Sequence, residues 1–348
     1  MKKLILAAFL FASTFSTSTL AEIKMGIILG FTGPIESLTP AMANSAELAF
    51  KEASDSGKLL GGETISVERA DSTCVDSAAA TSAAEGLIAN GVVAIMGADC
   101  SGVTGAIATN VAVPNGVVMI SPSATSPGLT DLNDNGYFFR TAPSDARGGQ
   151  ILADITKDRK IKSVAITYTN NDYGKGLADV YKAAVEAHGI KVTTVAAHED
   201  GKADYSAEVA TLASAGGDAV AVIGYIDQGG KGIIQASLDS GAFDVFVLSD
   251  GMIGDSLTDN FGKDLNKSFG SLPGSTGKGA GVFADVAKAA GIDSSGPYTG
   301  ESYDAAALIT LAMQAGGKAD RATIQQNVID RKSTRLNSSH SSVSRMPS

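Results

Sequence analysis

Two segments carry the residues best suited to holding a small anion. Residues 92–104 read Val-Val-Ala-Ile-Met-Gly-Ala-Asp-Cys-Ser-Gly-Val-Thr, and residues 117–125 read Val-Val-Met-Ile-Ser-Pro-Ser-Ala-Thr. Each is a short apolar strand that stops at a cluster of small and hydroxyl residues, where a helix or turn should begin. Small residues let backbone N–H groups approach a bound group. A hydroxyl at a helix start adds a hydrogen bond, and the helix N-terminus favours negative charge. Side by side, two such ends (Ser101 on one; Ser123, Ala124 and Thr125 on the other) would hold a carboxylate or phosphate without a cationic side chain. The plainer alternative is that these hydroxyls only cap their own helices.

Other chemistries lack their residues. Gly229-Gly-Lys-Gly232 has no Ser or Thr after its lysine, and Gly174-Lys-Gly176 lacks a third glycine, so neither completes a phosphate loop. No Gly-x-Ser-x-Gly elbow occurs. There are three histidines. Neither His188 nor His198 is placed to serve Ser101 as a base, so the expectation is a protein that is not an enzyme. No metal-ligand spacing exists, and no metal or cofactor is expected. The net charge is −10 without a basic stripe, which argues against nucleic acid as a partner.

The elements that would position these residues alternate regularly. Apolar strands at 23–29, 63–70, 92–96 and 117–120 are separated by helical patterns at 40–56, 75–89 and 103–113, and a short extended piece follows at 137–139. That alternation indicates parallel βαβ units in a doubly wound sheet. The continuous apolar runs fit strands buried on both faces. Arg140-Thr-Ala-Pro-Ser-Asp145 breaks the rhythm, which restarts with a helix at 149–159 and strands at 163–168, 191–197, 219–223 and 245–248. The expectation is an α/β chain of two doubly wound lobes joined by a crossover hinge. Lobe one takes residues 22–142 plus 273–330, and lobe two takes 143–272. The pattern loosens near Phe269–Gly274, and helices at 278–290, 300–315 and 323–328 follow with no further strand.

Both ends read differently from the middle. Met1-Lys-Lys, an apolar run from Leu4 to Ala12 and small residues up to Ala21 form a secretory leader over 1–21, too short to span a bilayer. No cysteine near the cleavage site would carry a lipid anchor, so the mature chain is expected free in the periplasm without membrane insertion. In that oxidising compartment the two cysteines, Cys74 and Cys100, read as a disulfide, with two buried thiols as the alternative. The serine-rich, basic run 331–348 reads as a non-native or disordered tail.

The chain resembles the periplasmic substrate-binding proteins of branched-chain amino acid ABC transporters, of the type I fold. The resemblance rests on Thr32-Gly-Pro34, Asp99-Cys-Ser101, Ile120-Ser-Pro-Ser-Ala-Thr125, Phe139-Arg-Thr141, Asp172-Tyr-Gly-Lys-Gly176, Gly224-Tyr225, Ser249-Asp-Gly251 and Ser302-Tyr-Asp304, in that order. It implies two lobes that close on an amino acid, delivered to a membrane permease by a monomer. It implies that Ser101, Ser123, Ala124 and Thr125 receive the α-carboxylate and help hold the ammonium. Asp250 would pair with the ammonium. Tyr173 and Tyr225 would make the second lobe's aromatic contacts, and Leu38 would lie over the ligand side chain. The family's disulfide matches Cys74 and Cys100. Some relatives have Glu where this chain has Asp250, and Ala where it has Ser123. The family's third crossover and the last strands of lobe two have no counterpart, which reads as truncation. Taken singly, Tyr173 could only pack at its helix start, Asp250 could be a turn residue before Gly251, and Tyr225 could be core. The rival function is an exported sensor for an amide or small organic acid.

Overall fold

The computed structural model describes residues 22–274 and 277–328. The leader and the tail lie outside the described residues. In chain order the first series is β1 (Glu22–Leu29), α1 (Thr39–Asp55), β2 (Thr64–Asp71), α2 (Ser77–Ala89), β3 (Ala94–Gly97), α3 (Ser101–Ile107), β4 (Val118–Ser121) and β5 (Phe138–Arg140). Its strands form one parallel sheet in the order β2-β1-β3-β4-β5. The second series is α4 (Asp145–Asp158), β6 (Ser163–Thr169), α5 (Asp172–Ala187), β7 (Lys191–His198), α6 (Ser206–Ala215), β8 (Ala219–Ile223), α7 (Gly229–Ser240), β9 (Phe246–Leu248), α8 (Asp255–Phe261) and β10 (Phe269–Gly270). Its strands form a second parallel sheet, ordered β10-β9-β8-β6-β7. Helices α9 (Lys278–Ala289) and α10 (Thr299–Gly316) follow, with a helical segment at 321–328.

Side chains alternate across each sheet, so the apolar runs feed two cores apiece. In the first lobe Ile27, Leu29, Met96 and Ile120 pack toward α1 and α10, where they meet Met42, Ala46, Ile309 and Met313. Ile28, Ile95 and Met119 point the other way, toward α2 and α3. That second cluster continues into lobe two through Tyr173, Leu177, Val164 and Ile166. The far face of sheet two, with Val220, Val222 and Phe246, packs on Val209, Leu212, Ile233 and Ile234 of α6 and α7.

Local chemistry sets the helix starts. Asp76 caps α2, Ser144 caps α4 through the Ala146 N–H at 3.2 Å, and Asn171 caps α5 through the Gly174 N–H at 3.0 Å. The Ser144 cap moves the start of α4 to Asp145, ahead of the expected Gly149. The helix expected over 103–113 is split: α3 ends at Ile107 and a π-helical turn covers Ala108–Ala112. The segment from Phe269, where the sequence pattern loosens, begins with β10, which pairs with β9 at the sheet edge. Cys74 and Cys100 are bonded, 26 residues apart, so the two-thiol alternative is excluded. The chain leaves lobe one between Arg140 and Asp145. It returns after Gly270, where Leu272 already packs against the lobe-one core.

Candidate functional site

The C-terminal ends of both sheets face each other, the usual place for a site in open α/β sheets. On the lobe-one side, Ser101 opens α3 but does not cap it. Its Oγ accepts the Ser126 N–H at 3.1 Å, tying α3 to the loop after β4. Ser123 Oγ donates to the Asp99 carbonyl at 3.1 Å, and Ser121 Oγ accepts the Ala124 N–H at 2.9 Å. The Arg140 guanidinium fastens this loop from behind, donating to the carbonyls of Ala124 (3.0 Å) and Ser126 (2.9 Å) and to Thr130 Oγ1 (2.6 Å). The plainer alternative, that the hydroxyls only cap their own helices, therefore fails for Ser101.

On the lobe-two side, the Asn171 cap fixes the first turn of α5, and Tyr173 projects from it. Its phenol donates to Asp250 Oδ1 at 2.7 Å, accepts the Gly251 N–H at 3.1 Å and lies 2.9 Å from Ser249 Oγ. Tyr225 stacks on Tyr173 with ring centroids 5.1 Å apart. Tyr298 donates to the other oxygen, Asp250 Oδ2, at 2.5 Å. Glycine is required at 251, because a Cβ there would lie 2.6 Å from the Gly224 carbonyl oxygen and 3.0 Å from the Tyr173 hydroxyl.

A cavity of about 30 Å³ lies between these walls, and Leu38, Ser101, Ser123, Tyr173, Tyr225 and Asp250 all line it. Ile35, Met42, Gly251 and Tyr298 line it too. Ala124 and Thr125 are buried beside it but are not on its wall. Tyr298 escaped the sequence reading. Its only signal was an aromatic ring at the end of the polar loop Asp293-Ser-Ser-Gly-Pro, just before a helix. A far larger hollow, about 990 Å³, lies on the outer face of lobe two between α6 and α7. It is a surface trough lined by groups such as Lys202, Asp204 and Lys231, and none of the expected site residues is in it.

The electrostatics favour a cation at Asp250. Burial raises its carboxyl above the ordinary range, while the Tyr298 and Tyr173 hydroxyls pull it back toward the charged form. Those phenols stay protonated, since burial and then the Asp250 charge push both well above their ordinary value. Asp145, the first residue of α4, is a second buried carboxyl at this hinge. Burial, then the charge of Asp250, raise it well above the usual carboxylate range; the Thr125 hydroxyl and Arg140 oppose this. Asp145 Oδ2 and Thr125 Oγ1 are both buried without a well-formed hydrogen bond. Among the described residues no cationic side chain hydrogen-bonds or ion-pairs with Asp250. Asp99, by contrast, is satisfied by the N–H groups of Gly30 (2.5 Å) and Cys100 (2.9 Å) and by Ser72 Oγ (3.1 Å). Among the described residues no cluster of His, Cys, Asp or Glu could hold a metal ion.

One wall thus offers small residues, hydroxyls and a helix start, and the other offers a carboxylate held by two phenols. A family profile described as "Periplasmic binding protein" matches residues 22–334. The chain belongs to the periplasmic binding protein family. Among periplasmic binding proteins it is 32% identical over 247 residues to a Leu/Ile/Val-binding protein homologue of Brucella melitensis, covering 70% of this chain and 66% of that one. The chain therefore spans just under two thirds of that relative's length. A second homologue from the same organism is 31% identical over 312 residues, 88% of this chain and 82% of that one. In structure, the chain is similar to the branched-chain amino acid transporter substrate-binding protein of Streptococcus pneumoniae, solved with isoleucine. The TM-score is 0.76 at 25% identity, covering 88% of each chain. The two parallel-sheet lobes are those of a type I periplasmic binding protein.

Proposed function

We propose that this protein captures an amino acid with an aliphatic, branched-chain side chain between its lobes and delivers it to an ABC permease from outside the cytoplasm. The observation that carries this reading is Asp250: a buried carboxylate with a phenol on each oxygen, facing the hydroxyl-bearing ends of β3 and β4. A zwitterion buried between the lobes needs partners for both charges. Asp250 serves the ammonium. Ser101 and Ser123, which line the cavity, serve the carboxylate, and Ala124 and Thr125 lie buried behind them. Leu38, Ile35 and Met42 supply the apolar wall against the side chain. The names of the Brucella relatives and the isoleucine held by the Streptococcus protein point the same way.

We read the protein as a binder rather than a catalyst, and the two described histidines lie away from Ser101. His198 Nδ1 lies 2.8 Å from Thr167 Oγ1 in the lobe-two core, and His188 pairs with Asp154 on the surface of α4 and α5. Neither serves Ser101. No helix among the described residues is long and apolar enough to cross a membrane.

A thermal-shift panel of the common amino acids, simple amides and short organic acids tests the reading. An upward shift with leucine, isoleucine or valine supports it, since a ligand bound only by the folded state raises the midpoint. A shift with organic acids but with no amino acid overturns it in favour of an acid sensor.

A further inference from the structure

The chain between β8 and α7 does two things. Tyr225 faces the cavity, and two residues later Asp227 reaches across to the other lobe. The Asp227 backbone N–H donates to the Pro34 carbonyl at 2.9 Å. Its Oδ2 accepts the Ser37 backbone N–H at 2.8 Å. Its Oδ1 accepts the Ser256 hydroxyl, from α8 of its own lobe, at 3.0 Å. One half-buried side chain is therefore steadied from behind and bonded to lobe one in front.

The segment it grips matters. Residues 34–38 carry Ile35 and Leu38, the lobe-one side chains that cover the cavity. An apolar contact accompanies the polar one: a Cβ at Gly254 would lie 2.9 Å from both Leu38 Cδ2 and Ile226 Cδ1. The Asp227 loop is also braced from below. Asp200 Oδ1 accepts the Gly229 N–H at 3.0 Å, and Asp200 Oδ2 accepts the Thr169 hydroxyl at 2.5 Å. His198 packs directly under Gly224 and Gly229. A loop held this firmly passes a pull on Asp227 to the whole of lobe two.

We propose that Asp227 is the closure grip of this protein, a positioning residue that touches no ligand but sets how long one is held by bonding segment 34–38 when the lobes meet. All its lobe-one bonds go to backbone groups of a segment that must swing away for a ligand to enter. They therefore exist only in the shut state and bias the open–shut equilibrium toward it. Removing a charged acceptor from a backbone N–H shifts such an equilibrium by about 10- to 100-fold.

The ligand arm of the test rests on the amino-acid reading above, and the scattering arm does not. The full chain and its Asp227→Ala, Asp227→Asn and Ser256→Ala variants are compared. Leucine dissociation is followed by stopped-flow displacement, ligand-free shape by small-angle scattering, and folding by the thermal midpoint. The expected result for Asp227→Ala is a 10- to 100-fold faster dissociation, association within threefold of the parent, and a larger radius of gyration without ligand. Asp227→Asn and Ser256→Ala should give smaller changes of the same sign, and they carry the test if Asp227→Ala does not fold. Dissociation within twofold of the parent for the folded variants overturns the proposal. So does a loss of affinity that follows a lowered thermal midpoint with no change in radius. If the parent binds no amino acid, the amino-acid reading fails, and the radii alone decide the grip: equal radii overturn it.

Discussion

Each oxygen of Asp250 holds one phenol, and that arrangement decides what the side chain can do. Two hydrogen bonds keep a buried carboxyl ionisable where burial alone would neutralise it. A hydrogen bond between charged partners contributes about 1.5–3 kcal/mol. Asp250→Asn, which keeps the shape and removes the charge, should weaken leucine binding by about 10- to 150-fold in calorimetry. An affinity unchanged by that variant would remove Asp250 from the ammonium site. The pH dependence has a fixed sign. The ammonium needs the carboxylate, so affinity should fall as pH drops through the raised Asp250 value. Tyr298→Phe, which takes away one stabilising donor, should move that fall to higher pH; a fall at lower pH would contradict it. His198 works on stability instead. Burial lowers its pKa from 6.5 to about 4. Between those values the unfolded chain binds the extra proton, so this group's contribution to stability is full above 6.5 and is lost as pH falls to about 4. The loss is about 3 kcal/mol. Raised carboxyls such as Asp99 and Asp200 act in the opposite sense. The measurement is therefore the difference in denaturation free energy between parent and His198→Gln at several pH values. A difference that does not change with pH would contradict the buried, neutral histidine. At this scale the sequence was partly readable. Asp250, Tyr173 and Tyr225 sit in short recognisable strings, but Tyr298 and Asp145 do not. Tyr298 reaches the site only because α9 and α10 bring a loop from the far end of the chain over Asp250, and no local pattern carries that information.

Secondary structure was the most legible level, because parallel strands buried on both faces leave apolar runs that no turn chemistry mimics. Even so, two features were set by contacts outside their own stretch. The two-residue β10 exists only through its pairing with β9, and the break in the 103–113 helix is a π-helical turn with no glycine or proline in it. Caps translate most directly into site geometry. Asn171 holds the first turn of α5 through the Gly174 N–H, and Tyr173 projects from that turn. Asn171→Ala should cost about 1 kcal/mol in denaturation. It should also weaken leucine binding, because the Tyr173 phenol would lose its fixed approach to Asp250; a stability loss with unaltered affinity would separate the cap from the site. The disulfide does the same work in lobe one, joining the loop after β2 to the residue that precedes Ser101. A bond across this separation is worth about 3.5 kcal/mol in the chain-entropy account. The double variant Cys74→Ser, Cys100→Ser should lose stability of that order in chemical denaturation, and a loss below about 1 kcal/mol would show that packing alone holds that corner.

At the scale of the whole molecule, the C-terminal ends of the two sheets face each other over a cavity of about 30 Å³. That holds only a few water molecules. An amino acid can enter only if the lobes part, and the chain offers few places for that motion: the passages between Arg140 and Asp145 and after Gly270. The sequence reading gave residues 273–330 to lobe one, and α10 packs there through Ala305, Ile309 and Met313 against Met42, Ala46 and Phe50. A hinged pair of lobes held by a ligand that touches both should shrink on binding, so the radius of gyration should fall when leucine is added. The most direct test of the central claim is a calorimetric titration of the whole protein with leucine and with 4-methylpentanoate, which has the same side chain and carboxylate but no ammonium. The account predicts one saturable site for leucine and at least 100-fold weaker binding of the acid. Equal affinity for the two would show that no ammonium is recognised at Asp250 and would contradict the account.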